Sequence, residues 1–168
     1  DSGDQACGDV GEGRMSEPKD IAFALAKSFS SSYLNGMRIL ITAGPTKEAI
    51  DPVRYLTNNS SGKMGYALAE SAFLAGAQVD LVSGPVSINA YEGVNLHKIN
   101  SADEMLEKIK TLINDTDIFI GCAAVADFKP TNYIDSKIKK TDENNMSINL
   151  TKNPDILKYA SDKMKDKI

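Results

Sequence analysis

Residues 38–43 read RILITA and residues 78–83 read QVDLVS, and each run ends on a Gly-Pro pair, Gly44-Pro45 and Gly84-Pro85. Apolar runs this short, closed by a turn signal, are the mark of strands buried on both faces, as in a parallel sheet. Between them, residues 61–75 carry Met64, Leu68, Ala72 and Ala75 at helical spacing, open on Ser60-Ser61-Gly62 and close at Gly76. Glycine just past the last apolar position is a helix stop. The stretch 38–83 therefore predicts a strand, a long loop, a helix and a second strand.

Downstream the alternation continues. A short strand is expected at 95–99, then a helix capped by Ser101 with Glu104 three residues on, then the strongest strand, 117–125 (DIFIGCAAV). Four strands alternating with helices predict an α/β fold, a Rossmann-like doubly wound, mainly parallel sheet with helices on both faces. The end reads as a lysine-rich polar stretch to Asn145, a strand at 147–150 and a helix from Asp155 to Lys167. Upstream, Pro18–Phe29 reads as an amphipathic helix with Ile21, Ala22, Leu25 and Phe29 on one face, and the glycine-rich residues 1–16 as loop.

At 168 residues, 42% hydrophobic and 25% charged, the chain has the length and composition of one globular domain. The net charge of -4 gives no general attraction for nucleic acid or an anionic membrane, so any phosphate site must be local. Cys7 and Cys122 lack the spacing of a zinc knuckle or a CxxC pair, which fits a reducing cytoplasm. No run reaches the roughly 20 apolar residues of a membrane span, and the polar start has no signal-peptide core.

Ligands of doubly wound sheets sit beyond the carboxyl ends of the strands. The loop after the first strand runs over 44–60 and leads into Ser60, Ser61, Gly62 and Gly65, at a helix start whose free N–H groups attract an anion. The same residues also suit plain capping and close packing. It is not a Walker A loop, since Thr57 and Met64 stand at required Gly and Ser/Thr positions. After the fourth strand, the small residues of Cys122-Ala123-Ala124-Val125-Ala126 let a flat ligand approach the backbone, and Asp127 suits ribose hydroxyls or a turn. Lys137-Ile138-Lys139-Lys140 reads either as a cationic flap or as a solvated run. His97, the only histidine, reads as structural, and no Ser/His/Asp triad or zinc cluster has the residues it needs.

Five strings carry a resemblance: ITAGPTKEAIDPVRYLTNNSSGKMG at 41–65, LVSGPVS at 81–87, IFIGCAAVADF at 118–128, KIKK at 137–140 and KNPDIL at 152–157. In this order and spacing the chain resembles the bacterial bifunctional phosphopantothenoylcysteine decarboxylase/phosphopantothenate–cysteine ligase family (Dfp/CoaBC). Ala6-Cys7-Gly8-Asp9 and Gly13-Arg14-Met15 resemble the end of that family's flavin-dependent decarboxylase half.

The resemblance implies that 1–36 is the end of the decarboxylase half with a helical linker, and 37–168 a CTP-binding ligase domain. It also implies truncation at both ends, with little turnover from residues 1–168 alone. The implied reaction joins 4'-phosphopantothenate to cysteine with CTP and Mg²⁺, through an acyl-cytidylate, releasing pyrophosphate and CMP. FMN is implied only for the decarboxylase body, whose sequence is absent here, with Cys7 as that half's proton donor. By position, the resemblance assigns Gly121, Cys122, Ala123 and Asp127 to the base and ribose and Thr151, Lys152, Asn153 and Pro154 to a second nucleotide-contacting turn. It assigns Lys137 to the triphosphate, and Asn58 and Arg54 to the acyl intermediate. A cytoplasmic homodimer of ligase domains is implied, a higher oligomer with the decarboxylase half. From the fold alone an NAD(P)-binding oxidoreductase is the alternative, and a non-catalytic binding fragment a third.

Overall fold

A computed structural model describes residues 2–4, 7–13, 15–29, 32–139, 145–165 and 167–168. Of the quoted motif positions, Ala6, Arg14 and Lys140 lie outside these. The centre is a four-stranded parallel sheet of β3 (Arg38–Ala43), β6 (Gln78–Ser83), β7 (Asn95–Lys98) and β8 (Ile118–Gly121), in the order β7-β6-β3-β8. Helix α2 (Lys63–Leu74) connects β3 to β6, and α3 (Ala102–Leu112) connects β7 to β8. From β3 the chain moves outward to β6 and β7, then crosses back to place β8 on the other side of β3. The strand order thus reverses between β3 and β8.

The pleat of β3 sorts the core. Ile39, Ile41 and Ala43 pack with Ala69, Ala72, Val79 and Leu81 on the α2 side. Leu40 faces Met105, Ile109 and Ile113 of the α3 side, together with Ile156 and Ala160 of α4 (Ile156–Lys163). Alternation of side chains across a strand produces this division. Small residues let α2 lie close: a Cβ at Gly65 would stand 2.6 Å from Ala43 Cβ. Ser101 caps α3 as its hydroxyl accepts the Glu104 N–H at 3.2 Å, while the Glu104 carboxylate reaches back to the Asn100 N–H at 2.7 Å.

Several expected elements shift. Residues 1–16 are not all loop: β1 (Ser2–Asp4) and β2 (Val10–Glu12) form an exposed antiparallel hairpin, whose paired backbone groups satisfy one another without an apolar core. Helix α1 (Pro18–Phe29) forms as read, but Leu25 and Phe29 are exposed, and it docks through Phe23, whose ring lies 4.6 Å from Tyr91 and 5.7 Å from Phe73 between centroids. On α2, Met64 is exposed and Gly65 faces inward instead.

The strand expected over 117–125 stops at Gly121: the Cys122 N–H is shared between the Thr42 carbonyl and hydroxyl of β3, and the Ala123 N–H turns to the hydroxyl. The last expected strand, 147–150, is displaced to β10 (Leu150–Lys152), which pairs with β9 (Phe128–Pro130). A three-residue antiparallel pair carries too little alternation to fix its register from sequence. Helix α4 ends at Lys163, not Lys167. The Lys167 ammonium instead donates to the carbonyls of Asn114 and Thr116, and Ile168 exchanges backbone hydrogen bonds with Asp117 and Phe119 beside β8.

Candidate functional site

At the reversal between β3 and β8 lies a pocket of about 580 Å³. Crevices at the carboxyl ends of strands, where strand order switches, are where this architecture holds ligands. Its walls are Thr42 of β3, Gly121 of β8, the 123–128 turn and residues 152–157 leading into α4. Of the residues expected to bind nucleotide, Gly121, Ala123, Asp127, Lys152, Asn153 and Pro154 line it. Cys122 and Thr151 are chain neighbours of lining residues and not lining residues themselves. Burial pushes the Cys122 thiol above its ordinary pKa, so it stays protonated near neutral pH and is a poor nucleophile.

The turn at 121–126 is shaped by two threonine hydroxyls that sequence reasoning missed. Thr42 Oγ1 accepts the N–H groups of Cys122 and Ala123, each at 3.2 Å, and buried Thr46 Oγ1 accepts that of Ala126 at 3.0 Å. The Thr46 carbonyl accepts the Thr57 hydroxyl at 2.7 Å, tying the loop after β3 to the same turn. A polar residue inside the apolar run RILITA was the available signal for Thr42, although its partners lie 80 and 81 residues away.

Asn153 bridges the two walls. Its backbone N–H donates to the Asp127 carbonyl at 2.9 Å and its side-chain N–H to the Ala126 carbonyl at 2.8 Å. Its Oδ1 is buried with no hydrogen-bond partner among the described residues. Asp155 caps α4 by accepting the Lys158 N–H at 2.9 Å, so its carboxylate is engaged, whereas Asp127 is exposed at the pocket.

Asn58 and the anion loop reach the pocket from the other side. Asn58 Nδ2 donates to the carbonyls of Ala124 at 3.3 Å and Val125 at 3.1 Å, so its amide shapes the pocket wall. Donation to an acyl oxygen requires these contacts to be exchanged. Gly62 stands at the N-terminus of α2 in a left-handed conformation (φ 73°) with no side-chain cap, and Ser60 Oγ accepts its N–H at 3.4 Å. A Cβ at Gly62 would stand 2.8 Å from Val86 Cγ1, so close packing requires this glycine whatever else the loop does. Ser60, Ser61, Gly62 and Gly65 do not line the 580 Å³ pocket but adjoin it through Gly44, whose carbonyl accepts the Ala124 N–H.

Arg54 and Lys137 lie around a third centre, outside the pocket. Arg54 pairs with Asp51 at 3.2 Å, and Lys137 is exposed on the neighbouring 131–139 segment. Cys7 is exposed in the turn between β1 and β2, its thiol 3.6 Å from the Asp9 carboxylate. His97 and Asp80 pair at 2.7 Å across β7 and β6. Among the described residues no helix is long and apolar enough to cross a membrane.

Residues 34–168 match the model of the family described as DFP, DNA/pantothenate metabolism flavoprotein C-terminal domain. The coenzyme A biosynthesis bifunctional protein CoaBC of Vibrio vulnificus (strain YJ016) is 53% identical over 161 residues, 95% of this chain and 40% of the relative. That of Escherichia coli (strain K12) is 47% identical over 160 residues, 94% and 39% of the two chains. A crystal structure of the C-terminal domain of a CoaBC protein is similar at a TM-score of 0.69 and 45% identity, over 79% of this chain and 61% of that one. The chain spans about two fifths of the length of these curated relatives.

Proposed function

The chain belongs to the DNA/pantothenate metabolism flavoprotein C-terminal domain family, and we propose that it is the CTP-dependent ligase part of a coenzyme A biosynthesis enzyme. On this reading it joins 4'-phosphopantothenate to cysteine. The observation that carries the reading is the pocket at the β3/β8 reversal, walled by small residues and backbone groups with Asp127 at its edge.

A carboxylate is a poor acylating group, so it is activated first. The 4'-phosphopantothenate carboxylate attacks the α-phosphorus of CTP, pyrophosphate leaves, and the acyl-cytidylate forms. The cysteine amine then attacks the acyl carbon, loses a proton and expels CMP. Gly121 and Ala123 leave room for the base, with Cys122 behind them; Asp127 accepts ribose hydroxyls, and the turn of Thr151, Lys152, Asn153 and Pro154 closes the opposite wall. Lys137 neutralises triphosphate charge, aided by the N–H groups around Ser60, Ser61, Gly62 and Gly65. Asn58 and Arg54 serve the acyl intermediate, Arg54 as the anion-holding cation.

Among the described residues no cluster of three His, Cys, Asp or Glu is placed to hold a metal. The donor set fits Mg²⁺ held mainly by phosphate oxygens, the usual mode for this ion, with Asp127 an exposed carboxylate in the pocket lining. Bound there, Mg²⁺ would screen the phosphate charge. FMN and the proton donation of Cys7 fall to the decarboxylase part of such a protein. Exposed Val53 and Tyr55 on the loop after β3, with exposed Phe128 and Leu150 on the β9–β10 pair, support pairing as a homodimer, and a cytoplasmic location is part of the same proposal.

Calorimetric titration with CTP, ATP and NAD in the presence of Mg²⁺ tests the reading. Tighter binding of CTP than of NAD is expected. Equal competition by NAD restores the oxidoreductase alternative, and binding without cysteine-dependent CMP formation leaves a binding fragment.

A further inference from the structure

The loop after β3 contains a hairpin of β4 (Lys47–Ala49) and β5 (Tyr55–Thr57), and its turn holds a buried carboxylate with no place in the proposed chemistry. Asp51 is 2% exposed. Its Oδ1 accepts the N–H groups of Val53 at 2.7 Å and Arg54 at 2.8 Å. Its Oδ2 accepts the Arg54 guanidinium at 3.2 Å and, from 87 residues away, the Ile138 N–H at 3.1 Å. Arg54 completes a ring by donating from Nη2 to the Ile138 carbonyl at 3.3 Å. Both backbone polar groups of the residue after Lys137 are therefore held by the Asp51–Arg54 pair.

A second contact fixes the direction of approach. The Ile134 N–H donates to the Ile50 carbonyl at 3.1 Å, and Ile50, Ile134, Ile138, Met146 and Ile148 line a small cavity of about 290 Å³. The lysine segment is thus anchored by hydrogen bonds on its backbone and by apolar side chains beneath, while Lys137 itself remains exposed.

We propose that Asp51 is a positioning residue, a latch that holds the Lys137 segment and the Arg54 guanidinium in one fixed frame. The role assigned to Lys137 rests on the ligase reading; the latch rests on the geometry. Four donors converge on one carboxylate, and a neutral amide cannot accept from all of them, so replacement by Asn leaves N–H groups facing N–H groups. The lysine and the arginine would then be delivered independently rather than together.

The test uses the full-length protein carrying this chain, with two measurements. Hydrogen exchange of the Ile138 amide is expected to lose its protection in Asp51→Asn while the amides of β3 keep theirs. If Asp51→Asn weakens β3 as well, Arg54→Met decides, because that side chain is 38% exposed and its loss takes a donor from the Ile138 carbonyl and from Asp51 Oδ2 while the backbone N–H bonds to Asp51 can remain. It too is expected to raise exchange at 134–139 alone. In calorimetry, Asp51→Asn is expected to weaken CTP about tenfold in the parent protein and less than twofold in a Lys137→Ala background, the non-additivity of residues that act as one unit. Retained protection at Ile138, or equal losses of CTP affinity in both backgrounds, overturns the latch. Failure of the parent protein to bind CTP overturns the ligase reading instead, and the exchange measurement still decides the latch.

Discussion

The two sides of the candidate site are held by different chemistry. The pocket wall at 121–126 is pinned by neutral hydroxyls, Thr42 and Thr46, each accepting backbone N–H groups at 3.0 to 3.2 Å. The Lys137 side is pinned by a charge, the buried carboxylate of Asp51, on which two backbone turns and a guanidinium converge. Hydroxyls hold a turn equally well at any ordinary pH. A carboxylate holds it only while ionised, and in return its charge makes each hydrogen bond stronger. The pocket is therefore a permanent mould, whereas the lysine segment is held by a contact that can be titrated away.

The largest effect expected separates the two sides by function. In a full-length protein Lys137→Gln should abolish pyrophosphate release, whereas Asn58→Asp should still release it and accumulate acyl-cytidylate, as read by a pyrophosphate assay and mass spectrometry. If both stop at the same step, the sides do not divide the reaction. Next, Thr42→Val keeps the shape of the side chain but takes the hydroxyl from the Ala123 N–H and leaves the Cys122 N–H only the Thr42 carbonyl, and should lower unfolding stability by about 1 to 3 kcal/mol in a denaturant titration. An unchanged midpoint would mean that these amides find other acceptors and that the mould does not depend on the hydroxyl. Of similar size but confined to binding, Asp127→Ala should weaken CTP by about 1 to 3 kcal/mol and leave the unfolding midpoint in place. No change in affinity returns Asp127 to the role of a turn residue.

The smallest effect near neutral pH concerns the titratable side. Burial works to raise the Asp51 pKa, but the N–H groups of Val53, Ile138 and Arg54 and the Arg54 charge outweigh it and hold the carboxyl below its ordinary value. A carboxyl lowered on folding contributes stability above its unfolded pKa and loses it as pH falls through the folded one. Hydrogen-exchange protection at Ile138 should therefore hold from neutrality to about pH 4 and fall below that, while protection at Ala123 and Ala126 persists after correction for intrinsic exchange. Parallel loss at all three amides would erase the distinction between the two sides.

Much of the frame was legible because its signals are local. Short apolar runs ended by Gly-Pro marked β3 and β6, a Ser101-to-Glu104 cap marked α3, and Asn153-Pro154-Asp155 marked the start of α4. Of the lining residues, Ala123 and Asp127 fall on the loop after the fourth strand, where such sheets place ligands, whereas Gly121, Lys152, Asn153 and Pro154 were named only by the family resemblance. Where signals were short or shared, the reading slipped: β10 moved by three residues, and the apolar stripe of α1 turned outward while Phe23 made the contact.

The amino-acid order by itself determined which segments are strands and helices, and hence which loops crowd the carboxyl edge of the sheet, because periodicity, caps and turns act within a few residues. Only the tertiary structure decided which polar groups meet there. Thr42 is one polar letter in an apolar run, Asp51 one acid in a polar loop, and each is completed by backbone groups about 80 residues away. A backbone N–H carries no residue identity, so no sequence pattern announces its partner; the partner is set when β8 docks beside β3 and the lysine segment folds back over the β4–β5 turn.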